Sequence, residues 1–131
     1  MKIVLDTNVI VSALLNPNGI PAQIFKLALS DKMILLYDNR ILAEYAAVLN
    51  RPEFSFPVTA ITDFLAHLNH AGEFVEAEPQ HIRLPDESDR KFYEVYKTGL
   101  ADYLVTGNNK HYPGERQIVT PRKYLELNCN L

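Results

Sequence analysis

Four oxygen-bearing side chains, Asp6, Glu44, Asp89 and Asn108, fall where an α/β fold gathers chemistry. Asp6 directly follows the apolar run Met1 to Leu5, and Asn108 comes two residues after Tyr103–Thr106. Glu44 lies three residues after Ile41 and four before Val48, on the flank of an inward helical face. Asp89 shares a face with Phe92 and Tyr96, three and seven residues on. Each has an ordinary explanation by itself. Asp6 can cap a helix, Glu44 can mark a solvent boundary, and Asn108 beside Gly107 can simply turn the chain. In Asp86-Glu87-Ser88-Asp89 at least one acid caps a helix, so position alone does not single out Asp89. Convergence changes the reading, because separate strand-to-helix junctions each bring an oxygen donor to one edge of a sheet. Hard oxygen donors without cysteine or paired histidine ligands suit Mg²⁺ or Mn²⁺, not zinc. Such an ion acidifies water and offsets charge building on a phosphoryl group, which is the chemistry of phosphodiester hydrolysis.

The elements that must position these groups are legible as alternating strands and helices. Met1–Leu5 and Ile34–Tyr37 read as strands buried on both faces, and Val9–Leu15 as a helix behind the capping run Asp6-Thr7-Asn8. Asn16-Pro17-Asn18-Gly19 turns the chain, and Pro21 suits the first position of a helix reaching about Ser30. Asp38 caps a third helix, with Ile41, Leu42, Tyr45, Val48 and Leu49 inward, closed by Arg51-Pro52. Pro57 opens a fourth through about His70, Gly72 stops it, and Phe74-Val75 is a short strand. Residues 77 to 88 form a polar loop. A fifth helix spans about Asp89 to Thr98 with Gly99 at its C-cap, strands follow at Tyr103–Thr106 and Ile118–Thr120, and Pro121 starts a last helix. This alternation predicts an α/β, three-layer α/β/α sandwich around a five-stranded parallel sheet. Function in such a sheet lies outside the carboxyl ends of the strands, where strand order reverses.

Composition bounds the rest. The length predicts one domain over residues 1–131, large enough to bury roughly two-thirds of its unfolded surface. A single cysteine, Cys129, excludes a disulfide framework and a cysteine-based zinc site. No apolar run approaches the roughly 18–20 residues of a membrane span, and the start of the chain lacks a signal sequence, so a cytoplasmic protein is expected. Sixteen acids against thirteen Lys and Arg give a net charge of −3, the wrong sign for a non-specific polyanion binder. A cluster of acids serving a metal would bias that count, so nucleic acid stays open as a ligand.

Four segments in order resemble a PIN domain, most of all its VapC-like branch of toxins from toxin–antitoxin pairs. Leu5-Asp6-Thr7-Asn8-Val9-Ile10-Val11-Ser12-Ala13 resembles the first strand and acidic motif of that family. Glu44, within Ile41-Leu42-Ala43-Glu44-Tyr45 and ahead of Arg51-Pro52-Glu53-Phe54, resembles the second; Asp89-Arg90-Lys91-Phe92 resembles the third. Ala101 to Asn108 resembles the fourth, where many relatives carry Thr-Gly-Asp. The resemblance implies a metal-dependent ribonuclease, with Asp6, Glu44, Asp89 and Asn108 at the ligand and catalytic positions for Mg²⁺ or Mn²⁺. It also implies RNA as substrate, a small antitoxin protein as partner and a homodimer. Asn108 stands where many relatives have Asp, and His111 near where others place a further acid, which puts the number of metals in doubt. Asp102 is a fallback ligand, although it precedes its strand and so starts at the opposite edge.

Around these, Thr7, Asn8 and Thr106 are expected to orient the carboxylates. Arg40, Arg51, Lys91, Lys110 and Arg122 fall near strand ends or helix starts and are candidate phosphate contacts. The implied reaction is in-line attack of water, leaving 5′-phosphate and 3′-hydroxyl ends. Two other enzyme classes fit less well. A haloacid-dehalogenase-type phosphatase needs a second Asp where this chain has Asn8, and a receiver domain needs adjacent acids after its first strand. The non-enzymatic alternative is a PIN-like domain that binds RNA or an antitoxin with a weakened or inactive metal site.

Overall fold

Short apolar runs, each too brief to be a helix, form the strands of the computed structural model, which describes residues 1–129. In chain order the elements are β1 (Lys2–Leu5), α1 (Thr7–Leu15), α2 (Ile20–Ala28), β2 (Ile34–Tyr37), α3 (Asn39–Leu49), α4 (Val58–Ala71), β3 (Glu73–Phe74), α5 (Arg90–Thr98), β4 (Tyr103–Val105), β5 (Ile118–Val119) and α6 (Pro121–Asn128). Single 3₁₀ turns at Glu87–Asp89 and Asn109–His111 precede α5 and follow β4. The expected architecture is present: a five-stranded, all-parallel sheet with six helices, a three-layer α/β/α arrangement. Boundaries shift by a residue or two. Thr7 and Asn8 already belong to α1, Ile20 precedes Pro21 in α2, which stops at Ala28, and β3 begins at Glu73 instead of Phe74.

Strand order is β3-β2-β1-β4-β5, so the chain winds outward one way from β1 and then returns to lay β4 on its other side. The reversal falls between β1 and β4, which pair in register Ile3↔Tyr103, Val4↔Leu104 and Leu5↔Val105. That is the switch point at which a crevice opens beyond the carboxyl ends of the strands. The sheet is covered on both faces, which is why Ile3, Val4 and Leu5 are all fully buried in one unbroken apolar run. Each such side chain contributes about 1.5–3 kcal/mol relative to exposure. Helix α5 crosses β1, β2 and β4, and Tyr45 of α3 meets Phe64 of α4 and Phe92 of α5 at 5.5 and 6.4 Å between ring centroids.

Gly99 does end α5, but not by adopting a left-handed conformation. A Cβ there would come within 2.7 Å of Leu36 Cδ1 and 2.9 Å of the Val95 carbonyl oxygen, so close packing on β2 requires the glycine. The left-handed residue is Leu100, at φ 52°. The Leu100 N–H donates to the Lys97 carbonyl and the Ala101 N–H to the Tyr96 carbonyl, a Schellman closure of the helix.

Candidate metal centre and nuclease site

Backbone pairing carried one residue past the strands builds the centre of the site. The Asp6 N–H donates to the Val105 carbonyl at 3.0 Å, and the Thr106 N–H to the Val119 carbonyl at 2.9 Å. Asp6 and Thr106 therefore stand side by side at the carboxyl edge. The Thr106 hydroxyl donates to Asp6 Oδ2 at 2.8 Å, and a second donor, the buried Tyr112 hydroxyl, reaches the same oxygen at 2.9 Å. Asp6 Oδ1 takes the Asn8 N–H at 3.4 Å as the N-cap of α1, so capping and site roles coexist in one side chain. Burial pushes the Asp6 carboxyl above its usual range, the two hydroxyl bonds pull it back in part, and the Glu44 charge raises it further.

Glu44 extends from α3 toward the start of α1 and the start of α5. Its Oε2 accepts from the Thr7 hydroxyl at 2.5 Å, and its Oε1 pairs with Lys91 Nζ at 2.8 Å. The acid on the flank of α3 has thus found both a hydroxyl and a cation, as burial of a charge requires.

The ambiguity in Asp86-Glu87-Ser88-Asp89 is resolved by what each acid does. Asp86 caps the 3₁₀ turn, accepting from the Ser88 N–H at 2.9 Å and the Ser88 hydroxyl at 2.7 Å. Glu87 pairs with Arg90 at 2.6 Å. Asp89 makes no side-chain cap, and its Oδ2 is buried without a hydrogen-bond donor; His111 Nδ1 lies 3.3 Å from it. Burial, followed by the charges of Asp6 and Asp86, raises the Asp89 carboxyl above its usual value, and the neighbouring His111 pulls it back in part. An acceptor that is buried, crowded by negative charge and short of a donor suits a cation.

The charges of Asp6, Asp89 and Glu44 all act on the Tyr112 hydroxyl, whose pKa is driven up by burial first and by these acids after it. The charge of Asp6 also acts on Asp89 and that of Glu44 on Asp6, although the oxygens of Asp6, Glu44 and Asp89 do not all come within 4.8 Å of one another. Among the described residues, one donor atom each from Asp86, Asp89 and His111 lies within 4.8 Å of the others, a tighter group than the expected set of Asp6, Glu44, Asp89 and Asn108. Asn108 is exposed; its N–H donates to the Thr106 hydroxyl at 3.1 Å. Asn8 holds that turn, accepting the Gly107 N–H at 3.0 Å, and its side chain touches no carboxylate. Thr7 and Thr106 do contact acids. The carboxylate oxygens of the Asp86–Asp89–His111 group are donors that a divalent cation takes.

The expected cations divide sharply. Arg40 is engaged by Asp38 at 2.8 Å and by buried Glu94 at 2.8 Å, so its guanidinium joins α3 to α5 instead of standing free for phosphate. Lys91 lies inside the acidic pocket. Arg51, Lys110 and Arg122 are exposed. Asp102 sits at the opposite edge, where its Oδ2 accepts the Lys2 N–H at 2.7 Å. A cavity of about 820 Å³ lined by Tyr103, Arg116, Gln117, Lys123 and Leu127 also lies where β4 begins, and none of these lining residues is an acid. Sequence reading missed Tyr112 and Asp86. No periodicity marks a lone tyrosine in a turn-rich stretch, and Asp86 looked like one capping acid among several.

A three-layer α/β fold with clustered carboxylates at its switch point defines a class of candidate metal-dependent phosphoryl-transfer proteins. The PIN domain family profile matches residues 2–110, and the chain belongs to that family, whose members are generally nucleases that use divalent metals. It is similar to the uncharacterized protein MJ1680 of Methanocaldococcus jannaschii, 28% identical over 134 aligned positions that cover 98% of this chain and 81% of the relative. No solved structure matches. Among the described residues, no helix is long and apolar enough to cross a membrane.

Proposed function

We propose that this protein is a Mg²⁺- or Mn²⁺-dependent ribonuclease that hydrolyses RNA phosphodiesters and serves as the toxin of a toxin–antitoxin pair. The observation that supports the nuclease reading is the Asp86–Asp89–His111 group, whose Asp89 Oδ2 is buried without a hydrogen-bond donor and lies within reach of the Asp6 charge. Asp6, Glu44 and Asp89 would hold the ion, with Asn108 or His111 completing the set. When bound, a divalent ion there supplies an electrophile that acidifies water and offsets negative charge on the phosphoryl oxygens. The chain's own residues do the positioning. Thr106 and Tyr112 fix one Asp6 oxygen, the Asn8 N–H reaches the other, and Thr7 fixes one Glu44 oxygen. Lys91, Lys110 and Arg51 would meet the RNA backbone, while Arg40 would do so only by leaving its carboxylates. The toxin role, an antitoxin partner and a homodimer rest on the family resemblance.

The test is cleavage of a single-stranded RNA in Mg²⁺ or Mn²⁺. Asp6→Asn removes a charge at the pocket's centre, and cleavage should fall at least about a hundredfold. Cleavage by Asp6→Asn equal to that of the unmodified protein would refute the assignment. A second reading, a PIN domain that binds RNA or an antitoxin through a weakened metal site, is supported by the neutral Asn108 and by the Glu44–Lys91 pair. It predicts RNA binding without metal-stimulated cleavage.

A further inference from the structure

Lys91 is an unusual lysine. It is the second residue of α5, where the helix dipole repels a cation, and its side chain is only 15% exposed. It is held by Glu44 Oε1 at 2.8 Å, by a bond to the Ser88 carbonyl and by the Phe92 ring, whose centroid lies 5.3 Å from Nζ. Of these partners only Glu44 carries a charge. The other Glu44 oxygen is anchored by Thr7, so the carboxylate stays in place if Lys91 lets go.

We propose that Lys91 is a built-in counter-cation of the carboxylate pocket, which yields Glu44 to an incoming divalent ion and then offers its ammonium to RNA phosphate. This rests on the metal-centre reading above and adds a coupling to it. Two cations on one carboxylate oxygen repel each other, and with Glu44's charge engaged elsewhere, both the ion and the helix dipole drive the ammonium outward. Released from Glu44, Nζ stays tethered two residues from Asp89, at the mouth of the site. Ion binding thus frees a phosphate-binding group, and by reciprocity phosphate should favour the ion. The same pairing lowers the apparent affinity for metal, because the ion-ready state is only a fraction of the population.

The experiment is Mn²⁺ calorimetry on the intact chain and on Lys91→Gln, Lys91→Arg and Lys123→Gln, the last at an exposed lysine on the opposite edge of the sheet. A companion measurement is fluorescence anisotropy of a labelled, cleavage-resistant 2′-O-methyl phosphorothioate oligoribonucleotide, with Mg²⁺ or with EDTA. Lys91→Gln should bind Mn²⁺ about five- to tenfold tighter. Lys91→Arg, which can restore the pair, should stay near the parent, and Lys123→Gln, which reports the bulk charge effect, should change less than about twofold. In the parent, Mg²⁺ should raise oligoribonucleotide affinity, and Lys91→Gln should lose at least about threefold of that gain. Unchanged or weaker Mn²⁺ binding by Lys91→Gln, or a full Mg²⁺ gain in that variant, overturns the coupling while the metal centre stands. No Mn²⁺ binding by any of the four proteins overturns the metal centre and the coupling together.

Discussion

Tyr112 donates its hydroxyl to Asp6 Oδ2 at 2.9 Å, joining the end of the first strand to a residue 106 positions later. The bond lies among buried groups, and its oxygen is shared only with Thr106. It works against the burial that raises the Asp6 carboxyl, so it favours the charged form of that acid. Tyr112→Phe should cost about 1–3 kcal/mol of stability, the range for a lost bond to a charged group. It should also move the acid limb of the cleavage profile to higher pH, because Asp6 loses a donor that favours its charged form. A pH–rate profile of the variant checks this, and an unmoved acid limb would count against the role given to Tyr112.

Asp89 illustrates how a functional group weakens the fold that carries it. Its carboxyl is raised in the folded chain, so the native state binds a proton more readily than the unfolded state, whose value is near 3.8. The stability that this group contributes is present below the unfolded value and is lost as pH rises through the folded one. Asp89→Asn should therefore raise the melting temperature of the metal-free protein at pH 7, and the gain should fade as pH falls toward 3.8. Thermal melts in EDTA across that range are the measurement. Added Mn²⁺ should reverse the order by stabilising the protein that keeps the acid more than the variant.

Glu115 ties the segment carrying His111 and Tyr112 to α5. Its carboxylate accepts from Tyr93 at 2.6 Å and from Tyr96 and Lys97 at 3.2 Å each. Burial would raise its pKa, but the bond from Tyr93 and the bond and charge of Lys97 outweigh that and hold it below its usual value. A depressed acid contributes stability above its unfolded pKa, near 4.5, and loses it as pH falls through the folded value. Glu115→Gln should then cost about 0.5 kcal/mol at neutral pH after solvent screening, with the deficit closing in acid. Urea melts at pH 7 and below 4 test the sign.

Leu100 is a left-handed leucine, 84% exposed, at the end of α5. A side chain there strains the backbone and buries little in return. Leu100→Gly should stabilise the protein by about 1 kcal/mol, seen as a higher urea midpoint with unchanged slope. Gly99→Ala, next door, should do the reverse because its Cβ would strike Leu36 and the Val95 carbonyl.

Most of the fold was legible because its signals are local. Apolar runs such as Ile34–Tyr37, the cap at Asp38, the helix start at Pro121, and the stops at Gly72 and Pro52 act within a few residues of themselves. Asp6, Glu44 and Asp89 could be proposed as neighbours because strand ends and helical flanks have a fixed geometry. What could not be read was the choice of partners. Arg40 and Lys91 both looked like phosphate contacts, yet one closes a pair of carboxylates and the other neutralises Glu44. The Arg40–Glu94 and Lys91–Glu44 pairs join side chains more than forty residues apart in sequence. Tyr112 escaped notice for the same reason, since the 3₁₀ turn that aims it carries no periodic pattern.

The most direct test of the central claim is Mn²⁺ binding followed by paramagnetic resonance, counting free ion against the intact chain and against Asp6→Asn and Asp89→Asn. The account predicts saturable binding by the parent in the micromolar to millimolar range, weakened more than about tenfold by either substitution. Binding that survives both substitutions unchanged, or a parent that takes up no Mn²⁺, would contradict it.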